Sequence, residues 1–312
     1  MTDLDPITIP FAESRSRTMS YVLITPARNE ARYIEKTLRS VTAQTQKPLR
    51  WIIVNDGSTD ETSDIIAPYL AQYPWIEEIR IPPRHERDFA GKVRAFNVGY
   101  ARVRDLHFDC VASLDADISF SPTYFAFLLA KLAADERLGL VGTPFREGDQ
   151  TYDYRFVSIE HVSGACQLFR RECFEQIGGY VPSKGGGVDH VAVLKARMNG
   201  WKTRTFTEMR SEHHRAQGSA LRTRVRARLH VGRLDYALGG HPLWEVFRGI
   251  YQMTKPPFVL GGLLVATGYF IAFFKRAERS IPDEMVRFRQ AEQMRRLRRF
   301  IFGPRQNEAQ TT

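Results

Sequence analysis

Cys110-Val-Ala-Ser-Leu-Asp-Ala-Asp117 is an uncharged five-residue run that stops at two carboxylates flanking one small residue. A short run of this kind reads as a buried strand, and its acidic end as the point where the chain leaves the sheet. Upstream, Gly91 to Val103 has helical spacing, with Val93, Phe96 and Tyr100 three and four apart. Ile76–Ile81 reads as a strand before it. Trp51-Ile-Ile-Val54 reads as another, feeding the loop Asn55-Asp-Gly-Ser-Thr-Asp60, where Ser58 or Asp60 is the expected cap of the next helix. Arg32 to Thr45 repeats Ile34, Leu38 and Val41 on one helical face, and Tyr21-Val-Leu-Ile-Thr25 is a buried strand that ends at Pro26. Strand and helix alternating in this rhythm predict an α/β domain with a mostly parallel sheet. In such sheets ligands sit beyond the carboxyl ends of the strands. That geometry gathers Arg28 to Glu30, Asn55 to Gly57 and Asp115 to Asp117 along one edge.

The chain has 312 residues, 43% apolar and 26% charged, which excludes a disordered or collagen-like protein. Cys110, Cys166 and Cys173 form no CxxC pair, so neither a disulfide framework nor a structural zinc site is expected, and they read as core residues. The first twenty residues read as a flexible arm. They carry Asp3, Asp5 and Glu13 and no apolar run, which predicts a cytoplasmic start. The net charge of +10 is unevenly spread. Residues 203–312 hold 20 Lys/Arg against 9 Asp/Glu, and the other 202 residues hold 25 against 26. A neutral domain therefore precedes a cationic appendage, whose natural partner is a polyanion.

Two acids on one turn offer hard oxygen ligands suited to Mg²⁺ or Mn²⁺, and such a metal commonly holds a diphosphate. The acidic strand ends belong to a longer ordered set. Thr25-Pro-Ala-Arg-Asn-Glu30, Val54-Asn-Asp-Gly-Ser-Thr-Asp60, Gly91-Lys-Val-Arg-Ala-Phe-Asn-Val-Gly99 and Leu114-Asp-Ala-Asp117 come first. Gly164 to Phe169, Gly178-Gly-Tyr180 and Gly185-Gly-Gly-Val-Asp-His190 follow. Over roughly residues 21–215 this order resembles glycosyltransferase family 2. The resemblance implies a GT-A fold, a nucleotide-diphosphate sugar as donor, a divalent metal (Mn²⁺ or Mg²⁺) and inversion at the anomeric carbon.

Carried over residue by residue, the resemblance implies that Ala27, Glu30 and Asp56 line the base and ribose pocket. Asp115 reaches the ribose or the metal, Asp117 ligates the metal, and Lys92 lies near the diphosphate, where a cation offsets leaving-group charge. Arg84 and Arg87 are further candidates in the preceding loop. Asp189 is the expected general base that takes the proton of the attacking hydroxyl. The family places an acidic pair here, and Val188 stands where the first acid is usual. A helix-capping role for Asp189 is compatible with this one. Gly185 to Gly187 let the backbone approach the sugar. In related enzymes a histidine after the last core strand completes the metal shell. Here that is His213 or His214, after a strand expected at Thr203 to Thr207, with His213 preferred.

Phe258 to Phe274 contains seventeen residues without a charge. As a helix it extends about 25 Å, slightly short of a hydrocarbon core of about 30 Å. It is read as membrane-embedded, by a single span or a re-entrant insertion, since arginines flank both ends. Pro282 to Phe302, with Met285, Phe288, Met294, Leu297 and Ile301 in a stripe, has the composition of an interfacial helix. The expected organisation is an arm (1–20), a catalytic domain (21–216), a basic interfacial segment (217–257), an embedded helix (258–274) and a basic amphipathic tail (275–312). The apolar run selects an anionic membrane over nucleic acid as the partner of the arginines. The whole reading is an inverting transferase on the cytoplasmic face of the membrane, acting on a lipid-linked or envelope-polysaccharide acceptor. Two alternatives compete with it. A non-catalytic sugar-nucleotide or lipid-binding protein would not need intact Asp115, Asp117 and Asp189. A sugar-nucleotide pyrophosphorylase would need a Gly-rich phosphate loop after the first strand.

Overall fold

The computed structural model of the protein describes residues 18–83, 90–147, 158–182, 186–215, 221–254 and 258–302. Numbered in chain order, seven strands make one sheet. They are β1 (Tyr21–Ala27), β2 (Arg50–Asp56), β3 (Ile76–Ile81), β4 (Cys110–Leu114), β6 (Leu138–Gly142), β8 (Cys166–Arg170) and β9 (Lys202–Thr205). Their order is β3-β2-β1-β4-β8-β6-β9. β1 to β4 run parallel, β8 is antiparallel to both β4 and β6, and β9 is parallel to β6. A small second sheet, β5 (Ile118–Phe120), β10 (Ser211–His213) and β7 (Phe145–Arg146), stands beside the end of β4.

Both faces of the large sheet are buried at its centre, so β1, β2 and β4 are apolar in continuous runs and not at every second position. Alternate residues still separate two cores. Tyr21, Leu23, Trp51 and Ile53 pack under α1 (Ile34–Thr42), α2 (Thr62–Gln72) and α4 (Tyr124–Ala134). Val22, Ile24, Ile52 and Val54 pack under α3 (Ala90–Val103), α5 (Arg171–Gln176) and α6 (Val188–Met198). Each fully buried aliphatic or aromatic side chain contributes about 1.5–3 kcal/mol. The first polar group met in this core is satisfied: Trp51 Nε1 donates to Thr25 Oγ1 at 2.9 Å. The predicted strands and helices of residues 21–114 are present, with ends that coincide or shift by at most three residues.

Four helices form the appendage: α7 (Leu221–Ala237), α8 (Pro242–Met253), α9 (Leu260–Phe274) and α10 (Asp283–Phe302). The basic segment before the apolar run is thus two helices, the second started by His241, whose ring accepts from Leu243 N, and by Pro242 in its first turn. α9 packs against α7 and α8. At about 22 Å it is shorter than the apolar run that contains it, and no helix among the described residues is long and apolar enough to cross a membrane. The apolar stripe of the tail differs from the expectation. Met285, Val286 and Phe288 of α10 pack on Val191, Leu194 and Met198 of α6, so this part of the stripe docks on the catalytic domain. Arg289 locks the docking. Its buried guanidinium donates to the carbonyls of Asp235 (3.0 Å) and Leu238 (2.8 Å) at the end of α7, and to Asp235 Oδ1 at 2.6 Å.

Candidate active site

The loops after β1 and β2 are stitched to each other. Asn29, with a left-handed φ of 55°, accepts from Thr59 N at 2.8 Å and donates its own N–H to Ser58 Oγ at 2.9 Å. Asp60 accepts from Ala31 N at 3.1 Å, and Thr62 Oγ1 accepts from Glu30 N at 2.9 Å. Ser58 serves the inter-loop contact, whereas Asp60 serves it and also caps the helix as expected, since its Oδ1 accepts from Thr62 N, the first residue of α2, at 3.2 Å. The position before α2 is held by Glu61, which makes no side-chain cap. Gly57 permits the turn, since its φ is 70° and a Cβ there would lie 2.5 Å from Pro83 Cα. The turn after β4 is held from three sides. Thr37 Oγ1 of α1 donates to Ala116 O at 2.8 Å, Asp115 N donates to Ala165 O at 2.9 Å, and His214 N donates to Asp117 O at 3.0 Å.

These loops enclose a cavity of about 400 Å³ lined by Ala27, Arg28, Glu30, Asp56, Lys92, Asp115 and Asp117. Every donor-pocket residue carried over from the sequence lies on it. Gly91 and Lys92 also line it, which points the first turn of α3 into the space. The helix dipole there favours a phosphate group. Arg28 stands 4.0 Å from Asp56, and Lys92 pairs with Asp115 while its ammonium reaches Gly164 O at 3.3 Å.

The electrostatics converge on Asp117, which is buried. His213 Nε2 lies 3.4 Å from its Oδ2, and Arg215 Nε donates to the same oxygen at 3.1 Å. Burial pushes the Asp117 carboxyl up, but His213 and Arg215 outweigh it and hold the group below the usual range. His213 is raised in return, first by its hydrogen bond to Asp117. Arg215 also bonds Glu30 through its second arm and lies over the Tyr33 ring. Burial still raises Glu30 to about 7, against the pull of Arg215 and with the repulsion of Asp117. His214 faces elsewhere, with Ser119 Oγ at 2.7 Å and Lys36 Nζ at 3.3 Å. Of the two adjacent histidines, only His213 therefore meets the Asp117 carboxylate.

No group of three or more metal-ligating side chains converges among the described residues. Asp117 and His213 supply two, one hard oxygen and one imidazole nitrogen on a shared point. That donor set fits Mn²⁺ or Mg²⁺ when phosphate oxygens fill the remaining positions.

A second cavity of about 620 Å³ opens on the far side of the Lys92–Asp115 pair, and those two residues line both spaces. Its wall includes Gly186, Gly187, His161, Tyr180, His213 and Asp189. Asp189 lies in the first turn of α6 behind Gly187, which occupies the cap position with a φ of 79°, so the aspartate does not cap the helix. Its Oδ2 accepts from Gly164 N at 3.2 Å instead. A Cβ on Gly164 would lie 2.9–3.1 Å from the Asp189 side chain, so this glycine sets the seat of the carboxylate. Arg84, Arg87 and Gly185 lie outside the described residues. The residue that sequence reasoning passed over is Arg215. Only the pairing of β10 with β5 brings it to Asp117, and no local spacing reports that pairing.

A GT-A sheet with its acidic turn after β4 defines a nucleotide-sugar transferase architecture. The family model for Glycosyl transferase family 2 matches residues 22–194, more than half of the chain, and the protein belongs to that family. A probable glycosyltransferase, YdaM, of Bacillus subtilis is 30% identical over 144 residues, 45% of this chain and 33% of that protein. An uncharacterized glycosyltransferase of Nostoc sp., alr2836, is 37% identical over 94 residues, 30% of this chain and 27% of that one. The matches thus span about a third or less of these relatives. Among solved structures, the mannosyltransferase PcManGT from Pyrobaculum calidifontis, in complex with GDP-Man and Mn²⁺, superposes with a TM-score of 0.56. It is 19% identical, over 90% of this chain and 80% of that one. S. aureus TarS 1–349 in complex with UDP-GlcNAc gives 0.54 at 13% identity, over 83% and 92%.

Proposed function

We propose that the protein is an inverting, divalent-metal-dependent transferase. It moves a sugar from a nucleotide-diphosphate sugar to a lipid-linked or envelope-polysaccharide acceptor at the cytoplasmic face of the membrane. The observation that carries this reading is the pair of cavities meeting at Lys92 and Asp115, with an anion-favouring helix end on one side and Asp189 on the other. The GDP-Man, Mn²⁺ and UDP-GlcNAc complexes of proteins with this fold support the donor class and the metal.

In this reading the base and ribose sit among Ala27, Glu30 and Asp56, and the diphosphate lies over the first turn of α3. Asp117 and His213 hold the divalent ion, which when bound supplies positive charge to the diphosphate. Asp189 accepts the proton of the acceptor hydroxyl as its oxygen bonds to the anomeric carbon. The bond from that carbon to the diphosphate breaks, and Lys92 with the α3 amides offsets the charge left there. The appendage, rich in arginine and outward-facing apolar side chains, supports a membrane-bound acceptor.

The test is release of nucleoside diphosphate from a panel of UDP-, GDP- and dTDP-sugars with Mn²⁺ present. One donor is expected to be hydrolysed slowly without acceptor. Binding of a donor with no release from any of them would overturn the catalytic reading in favour of a sugar-nucleotide-binding protein.

A further inference from the structure

Of the 19 exposed large apolar side chains among the described residues, 13 fall between Leu243 and Phe302. They are not scattered. Leu243, Val246 and Ile250 are spaced three and four apart and share one side of α8. Leu260, Leu263, Ile271 and Phe274 recur along α9 in the same manner. The inward sides of the helices carry the opposite kind of residue. A Cβ on Gly262 would lie 2.1 Å from Gly249 O, one on Gly268 2.1 Å from Leu229 O, and one on Gly232 1.9 Å from Val265 O. α7, α8 and α9 therefore meet backbone to backbone at these small residues, and although Tyr236, Val265 and Tyr269 are buried among them, α8 and α9 each turn a stripe of large apolar side chains outward. A bundle surrounded by water does the reverse, whereas helices surrounded by lipid associate through small residues.

The two stripes join at the turn of the α8–α9 hairpin. Gly249 and Gly262 touch, which sets Ile250 beside the start of α9, where Phe258 is two-thirds exposed. Val259 N donates to Met253 O at 2.9 Å and closes the turn with a φ of 58°, a costly value for a β-branched residue. At the other border, Phe247 of α8 meets Phe300 at 4.9 Å between ring centroids, and the last turn of α10 ends exposed. Exposed cations edge the apolar surface, Lys275 and Arg276 after α9 and Arg298 and Arg299 in α10.

We propose that the α8–α9 hairpin and the last turn of α10 lie in the plane of one anionic leaflet, with the apolar stripes below the headgroups and these cations among them. This surface is then a monotopic anchor, seated in one leaflet. This rests on the membrane-bound acceptor proposed above and adds the surface that reaches it. Charge selects the occupant. A second copy would bring its own arginines against these, whereas anionic headgroups neutralise them.

The test is flotation of the full-length protein with vesicles of phosphatidylcholine and phosphatidylglycerol (7:3), and with phosphatidylcholine alone. Wild type is expected to float with the anionic vesicles and to remain partly bound in 1 M salt, where screening acts beyond about 3 Å. The pair Ile250→Asp and Leu263→Asp, both at exposed positions, is expected to lower partitioning at least 10-fold while leaving the melting temperature unchanged. Equal flotation of wild type and variant would overturn the assignment. So would a wild type that ignores vesicles and forms a dimer by light scattering that the variant abolishes. Donor hydrolysis measured on the same proteins without lipid separates the two claims, since its loss with flotation intact would sink the transferase reading alone.

Discussion

Asp117→Asn is expected to lower turnover at least about 10³-fold, the scale of a lost electrostatic contact to the leaving group. The substitution keeps size and shape at a buried position where Oδ2 meets Arg215 Nε at 3.1 Å and His213 Nε2 at 3.4 Å. It removes the negative charge that would hold a cation at this point. Mn²⁺ binding, followed by electron paramagnetic resonance, should weaken in parallel, and EDTA should bring the wild type to the level of the variant. Wild-type activity undiminished by EDTA would contradict the assignment of Asp117 and His213 to a metal.

Asp189→Asn separates chemistry from binding. The amide oxygen of asparagine can accept the Gly164 N–H as the carboxylate does at 3.2 Å, so the seat of the side chain is preserved. It cannot take a proton from a hydroxyl. Transfer should fall by roughly 10²-fold or more, while donor affinity, which depends on the neighbouring cavity, stays at the wild-type value. A variant that binds donor poorly and transfers at an unchanged maximal rate would make Asp189 a structural residue.

The half of the sheet that holds the donor pocket is legible in the sequence because its strands are local objects. Tyr21–Thr25, Trp51–Val54 and Cys110–Leu114 each announce themselves by an apolar run and stop at polar loop residues, and parallel strands joined by helices leave few topologies. Loop chemistry is legible as residue type and only partly as partner: Asp60 reads as a cap and does accept from Thr62 N, but it and Ser58 also bond the loop of Asn29 and Ala31 across the sheet edge. β8 enters antiparallel between β4 and β6, an order set by long-range pairing that no periodicity encodes. The small sheet of β5, β7 and β10 is too short for any pattern, and with it the role of Arg215 stayed hidden. In the appendage, seventeen uncharged residues at 258–274 suggested burial in lipid on every side. The glycines at 262 and 268 pair with α8 and α7 and leave one outward stripe, a distinction that hydropathy averages away. The α10 stripe was visible as amphipathic, but its partner, α6, was not.

A single claim joins the two cavities: one carboxylate delivers the acceptor oxygen to the face of the sugar opposite the diphosphate. The direct measurement is a proton nuclear magnetic resonance time course of the wild type with Mn²⁺ and a hydrolysable donor, reading the anomeric signal of the sugar first released or transferred. The two-cavity arrangement predicts that this sugar appears with the anomeric configuration opposite to the donor's. A first product with the donor's own configuration would contradict it.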